Sequence, residues 1–202
     1  MHPAFFPQRQ RQSLNLSVPR AVGLILSDIS NPFFAEIIPA IEECLSVAGF
    51  TTLLGNTSDD CRKEARLLKT MRECSPAGLL ICSSSTGDAV RAHRCASIRF
   101  LPAVAFGRPL DGLDYVGVDN AGGAELAVDH LYQLGHRRIA FVGGQPHDIA
   151  REERVEGYRR ALRRRNLEIE WIASSSPNRC GGYRSALDLL DLKSPPTAAV
   201  CL

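Results

Sequence analysis

Ala21-Val-Gly-Leu-Ile-Leu26 runs directly into Ser27-Asp-Ile-Ser-Asn31-Pro32, and that turn runs into Phe33-Phe-Ala-Glu-Ile-Ile-Pro39-Ala-Ile41. A short continuous apolar run bounded by turn residues is a buried strand. Asn31 then stands where an N-cap belongs and Pro32 where a first helical residue belongs. Phe33, Ile37, Ile41 and Leu45 recur every four residues, with Phe34 and Ile38 widening the stripe, and Gly49 supplies the stop. Pro39 falls inside this helix, where proline removes a hydrogen bond, so a bend is expected there.

The same unit repeats outward. Strands are expected at Phe50–Gly55, Ala77–Cys82, Leu101–Phe106, Tyr115–Val118, Arg138–Val142, Glu168–Ala173 and Thr197–Leu202. Helices are expected at Cys61–Cys74, Asp88–Ile98, Ala121–Leu134, Ile149–Asn166 and Gly181–Leu190. Strands alternating with helices through short links predict an α/β fold of parallel sheets covered on both faces. Such sheets bind ligands in the loops beyond the strands' carboxyl ends. Those loops here, among them Ser27–Pro32, Asn56–Asp60, Phe106–Leu110 and Gly143–Ile149, are rich in Ser, Asn, Asp and Gly. That composition suits a polyhydroxylated ligand, and it equally serves turn chemistry.

The whole chain of 202 residues is 45% apolar and 23% charged, which excludes collagen-like and disordered classes. No apolar run reaches the ~18 residues of a membrane helix. Residues 1–20 carry Arg9, Arg11 and Arg20 and no acid, so they read as a basic leader. The other residues then sum to −1, against +2 for the chain. A near-neutral body lacks the footprint of a nucleic-acid reader. The leader has no continuous apolar stretch of the kind that export signals carry. The seven cysteines are irregularly spaced, with no C-x-x-C, as reduced thiols of a cytoplasmic protein would be.

Catalytic patterns are missing. The turn after the first strand has no glycine, Gly143-Gly144 is followed by no Walker lysine, and there is no G-x-S-x-G elbow. His130 and His136 are too far apart to share a helical face, and Cys61 follows two carboxylates that oppose thiolate formation. The reading is a protein that is no enzyme, with no cofactor and no metal.

Seven stretches resemble the effector-binding core of the lactose/galactose repressor (LacI/GalR) family. They are Val22-Gly-Leu-Ile-Leu-Ser-Asp-Ile-Ser-Asn-Pro-Phe-Phe-Ala-Glu-Ile37, Leu54-Gly-Asn-Thr57, Tyr115-Val-Gly-Val-Asp-Asn120, Leu134-Gly-His-Arg-Arg-Ile-Ala-Phe-Val-Gly-Gly144, Arg151-Glu-Glu-Arg-Val-Glu-Gly-Tyr158, Gly181-Gly-Tyr183 and Pro196-Thr-Ala-Ala-Val200. They fall in the family's order and spacing across residues 21–202.

The resemblance implies a periplasmic-binding-protein-like fold of two doubly wound parallel-sheet lobes, the second incomplete. The expected division is a leader over 1–20 without a helix-turn-helix, an N-terminal lobe over 21–143 and a partial C-terminal lobe over 144–202. It also implies a small-molecule effector (a sugar, nucleoside or purine-like compound) in the cleft between lobes, and a homodimer formed through the first lobe. Operator DNA would be bound only by a full-length form, and no membrane partner is implied. Carried over residue by residue, it points to Phe33 and Phe34 as apolar walls, to Arg108 and Asp119 on cleft loops, and to Arg154 reaching the ligand from the second lobe. Arg159, Arg160, Arg163, Arg164 and Arg165 read as a solvated face. A transport-type solute-binding protein, or a non-functional gene fragment, is the alternative.

Overall fold

The computed structural model describes residues 20–84, 98, 101–146, 148–168, 170–176 and 178–202. The basic leader up to residue 19 and nearly all of the helix expected over Asp88–Ile98 lie outside the described residues.

The first five strands are β1 (Ala21–Leu26), β2 (Thr51–Asn56), β3 (Gly78–Ile81), β4 (Ala103–Phe106) and β5 (Asp114–Val116). They form one parallel sheet in the order β2-β1-β3-β4-β5. The side chains of β1 alternate between its faces. Leu24 and Leu26 pack with Phe34 of helix α1 (Pro32–Val47) and with Phe106. Ile25 packs on the opposite face with Leu68 and Met71 of α2 (Cys61–Cys74). Leu79 and Met71 pack closely over Gly23, where a Cβ would sit 2.9 Å from Leu79 Cδ1 and 3.0 Å from Met71 Sδ, so a larger residue would make these side-chain ends shift.

Both helices begin as the sequence dictates. Asn31 accepts from the Phe33 amide at 3.0 Å, with Pro32 opening α1, which runs unbroken through the exposed Pro39. Asp60 caps α2 by accepting from the Arg62 and Lys63 amides, and these bonds hold its carboxyl below the ordinary range. The apolar stripe of α1 packs on the sheet through Phe34, Ile37, Ile38 and Ile41 as expected, and only Phe33 departs from it. Phe34 is buried at 4% exposure, whereas Phe33 is 47% exposed.

The second sheet contains β6 (Ile139–Val142), β7 (Trp171–Ala173) and β8 (Ala198–Cys201), parallel and in the order β7-β6-β8. Helices α3 (Asn120–Gln133) and α4 (Ile149–Arg164) cover one face with Val128, Val155, Tyr158 and Leu162. Helix α5 (Arg179–Leu190) covers the other face through Leu189. The expected lobe boundary at residue 143 is therefore corrected. β6 pairs only within the second sheet and α3 packs on α4, so the chain crosses between units just after β5, at residues 117–119. The reason is that β6 is buried on both faces, and only helices of the second unit flank it.

The arginines at the end of α4 lie on a solvated face, as expected, and are paired there. Arg164 pairs with Glu125 at 2.9 Å and Asp129 at 2.6 Å, Arg165 with Asp129 at 3.0 Å, and Arg159 with Glu170 at 2.7 Å. On that exposed face they form an ion-pair lattice tying α4 to α3 and to the strand edge, and such networks act together where isolated pairs contribute little.

Tyr158 lies at the centre of this unit, fully buried, and its hydroxyl donates to the Ile139 carbonyl at 2.8 Å. Burial pushes the phenol up to about 12. Because the folded state favours the neutral phenol, its contribution to stability is complete below pH 10 and is lost as pH rises through about 12. A spectrophotometric titration should show one of the four tyrosines ionising last, and Tyr158→Phe should remove that step. Loss of a different step would reassign the buried phenol.

Candidate functional site: the cleft between the two sheets

Every strand except β2 ends near one cleft. Ser27 follows β1, Cys82 follows β3, Gly107 and Arg108 follow β4, and Val118 follows β5. From the other unit come Gly143 after β6, Ser175 after β7 and Leu202 after β8. The cleft has a volume of about 1120 Å³. Parallel sheets bind ligands at this end because the loops there diverge from the strands and carry the helix N-termini.

One wall is aromatic. Phe33 and Phe34 meet edge to face at 5.2 Å, and Phe34 meets Phe106 edge to face at 6.3 Å. Phe34 is locked into the core beneath, so Phe33, exposed toward the cleft, is the ring free to contact a ligand. Cys82 lies beside them at 3% exposure, 3.7 Å from the Ser27 hydroxyl, and burial pushes its thiol up.

Arg108 lines the cleft with three of its N–H donors engaged. Nη1 donates to Asp59 Oδ1 at 2.8 Å and to the Ser83 carbonyl at 2.9 Å, and Nη2 reaches Asp148 Oδ2 at 3.4 Å. Burial works to lower its pKa, but Asp148 and Asp59 outweigh it and hold the guanidinium above its ordinary value. Ser83 is itself fixed, because its hydroxyl and the Ser84 amide and hydroxyl all donate to the buried carboxylate of Glu64.

Arg154 is differently placed. Its Nε donates to Asn120 Oδ1 at 2.8 Å, and Asn120 Nδ2 donates in turn to Glu153 Oε2 at 2.7 Å. Asn120 is 5% exposed, so this bond orients the guanidinium from beneath. Among the described residues Arg154 makes no ion pair, and its fork lines the cleft. Arg151 steadies the neighbouring loop by donating to the Gly143 carbonyl and the Ser174 hydroxyl.

Of the five residues singled out by sequence, Phe33, Phe34, Arg108 and Arg154 line the cleft together. Asp119 does not. It caps α3, accepting from the Gly122 amide at 2.8 Å, between Val118 and Asn120, which do line the cleft. Asn120, Asp148 and Asp59 went unnoticed in the sequence. The one available signal was Asp148 immediately before an amphipathic helix, an N-cap pattern that says nothing of a partner across the cleft. Among the described residues no cluster of His, Cys, Asp and Glu could hold a metal ion, and no helix is long and apolar enough to cross a membrane.

Residues 19–202 match the family model for periplasmic binding proteins and the sugar-binding domain of the LacI family. The HTH-type transcriptional repressor PurR of Actinobacillus pleuropneumoniae is 28% identical over 200 residues, covering 98% of this chain. The chain spans 59% of that repressor's length. A periplasmic binding protein/LacI transcriptional regulator from Alkaliphilus metalliredigens, solved with D-xylulofuranose, is 33% identical with a TM-score of 0.66 over 76% of this chain and 56% of its own. The Cra regulator of Pseudomonas putida, solved with fructose 1-phosphate, is 25% identical with a TM-score of 0.75 over 90% of this chain and 68% of its own. Two parallel sheets facing one cleft, with a family match along nearly the whole length, place this chain in the family of periplasmic binding proteins and LacI-type effector-binding domains.

Proposed function

We propose that this chain is the sensing core of a transcription regulator, taking a sugar or a similarly small polar molecule between its lobes. The observation that carries this is Arg154, a guanidinium held from beneath by Asn120, without an ionic partner among the described residues, at the mouth of the cleft. A planar fork of N–H donors suits hydroxyl, carbonyl or carboxylate oxygens. Phe33 supplies an apolar face opposite, over which a sugar ring or a base can lie. Phe34 supports that ring from the core.

Ligand contacts made only when the lobes approach shift the open–closed equilibrium, and that movement is what a DNA-binding head elsewhere in a longer protein would read. Homodimerisation through the first lobe, operator binding by the longer form and a cytoplasmic setting belong to the same reading. So does the assignment of the cleft to binding without catalysis.

Calorimetry with D-xylose, D-ribose, cellobiose, fructose 1-phosphate, hypoxanthine and inosine tests the proposal. At least one is expected to bind, and Arg154→Ala should weaken it ~100-fold, the worth of hydrogen bonds from a charged donor, with the melting temperature unchanged. Binding that survives in the variant would remove Arg154 from the site. Silence from the whole panel would count against a sugar or purine sensor.

A further inference from the structure

Arg108 lies between two carboxylates that belong to different lobes. Asp59 and the Ser83 carbonyl, both in the first lobe, take Nη1 at 2.8 and 2.9 Å, while Asp148, in the second lobe, takes Nη2 at 3.4 Å. We propose that Asp148 is a positioning residue which, through Arg108, clasps the lobes together across the cleft with no effector bound.

Each half of the clasp is fixed within its own lobe. Asp59 is in the left-handed region at φ 57°, and its amide donates to the Ser27 carbonyl at 2.6 Å, which pins the loop carrying it. The first lobe thereby holds one edge of the guanidinium and leaves the other facing outward. On the far side the two oxygens of Asp148 are divided. Oδ1 caps α4 by accepting from the Ala150 amide at 3.1 Å, and Oδ2 meets Arg108. The cap holds the carboxylate in position whether or not the lobes are closed.

The two side chains are 17% and 19% exposed, so salt screens them less than a surface pair. At 3.4 Å the contact is longer than the usual charge-assisted hydrogen bond, which suits a link that must release. Of these three contacts of Arg108, opening the cleft breaks the one to Asp148, because Asp59 and Ser83 travel with Arg108. The clasp goes beyond the sensing role and requires no effector, so the two fail separately.

The test is the distance between lobes in the unliganded full chain. Spin-labelled amino acids encoded at Lys69 and Gln133, exposed positions on α2 and α3, leave the cysteines untouched. Asp148→Asn keeps a good N-cap and removes the charge. It should raise the ratio of open to closed molecules about tenfold, the weight of one hydrogen bond between charged groups. Arg108→Gln should do the same. Asp59→Asn removes the same charge from the same guanidinium, and asparagine tolerates the left-handed region, yet it should leave the lobes closed.

Equal distance distributions for Asp148→Asn, Arg108→Gln and the unaltered chain would overturn the clasp. So would an opening by Asp59→Asn as large as that by Asp148→Asn, since only a general loss of charge would treat the two alike. The three-way pattern separates the clasp from a merely structural ion pair.

Discussion

Gly157→Ala is expected to destabilise the fold by about 3 kcal/mol, the upper end for overpacking, because the obstacle is backbone that cannot swing aside. A Cβ at Gly157 would run into the carbonyl of Ala121, the second residue of α3. Helices α3 and α4 therefore meet at the closest approach glycine allows, and the alanine must push them apart. The consequence reaches the cleft, because Arg154 lies one turn before Gly157 and its partner Asn120 is adjacent to Ala121. Urea unfolding should show a lower midpoint at unchanged slope. Gly123→Ala is the control: its Cβ would meet nothing within 4 Å, so helix propensity alone should leave that variant as stable or more so by up to ~1 kcal/mol. An equal loss from both substitutions would mean that glycine flexibility, and not the close approach, is what matters at residue 157.

Glu64→Ala should cost about 3 kcal/mol, for a different reason. The carboxylate is fully buried and accepts from the Ser84 amide at 2.6 Å, the Ser84 hydroxyl at 2.9 Å and the Ser83 hydroxyl at 3.2 Å. Removing it leaves those donors buried without their acceptor, the costly half of any hydrogen-bond deletion. Glu64→Gln should fall between, since one amide oxygen can still accept while the amide nitrogen faces other donors. The turn that Glu64 holds also presents the Ser83 carbonyl to Arg108. Slow hydrogen exchange at the Ser84 amide, lost in Glu64→Ala, would check the role directly; unchanged protection would place that amide's partner elsewhere.

The elements most legible in the sequence were those whose limits are chemical. β1 and α2 begin and end at the residues expected, because an apolar run and an Asp60 cap leave little choice. Strand ends were less sharp, as at β7, expected over Glu168–Ala173 and found as Trp171–Ala173, where polar flanking residues add nothing to burial. α4 stops at Arg164, short of the expected Asn166, which adopts φ 52° and so cannot continue a right-handed helix. The stripe of α1 departs from its expected course only at Phe33, at its start. Two adjacent phenylalanines fit one periodicity equally well, and only the sheet decides which ring it buries.

The site was legible in part for the same reason. Arg108 and Arg154 are both arginines on loops or helix starts near strand ends, and sequence treats them alike. Their difference lies in partners remote in the chain: Asp59 and Asp148 engage one, while a neutral Asn120 orients the other. Asp119 shows the limit of local reading, because an Asp before a helix serves as an N-cap or a ligand group with the same spelling, and here its Oδ1 accepts from the Gly122 amide as a cap.

What the sequence determined by itself is the alternation of strand and helix, the parallel α/β class and the loops that could carry a site, since these depend on local periodicity, capping and turn chemistry. What only the tertiary structure decided is which sheet each strand joins, where one lobe ends and which charges meet across the cleft. Those outcomes depend on contacts between residues far apart in the chain, and no local pattern encodes them. Arg108 between Asp59 and Asp148 is the clearest case, a meeting of three loops that only folding brings to one point.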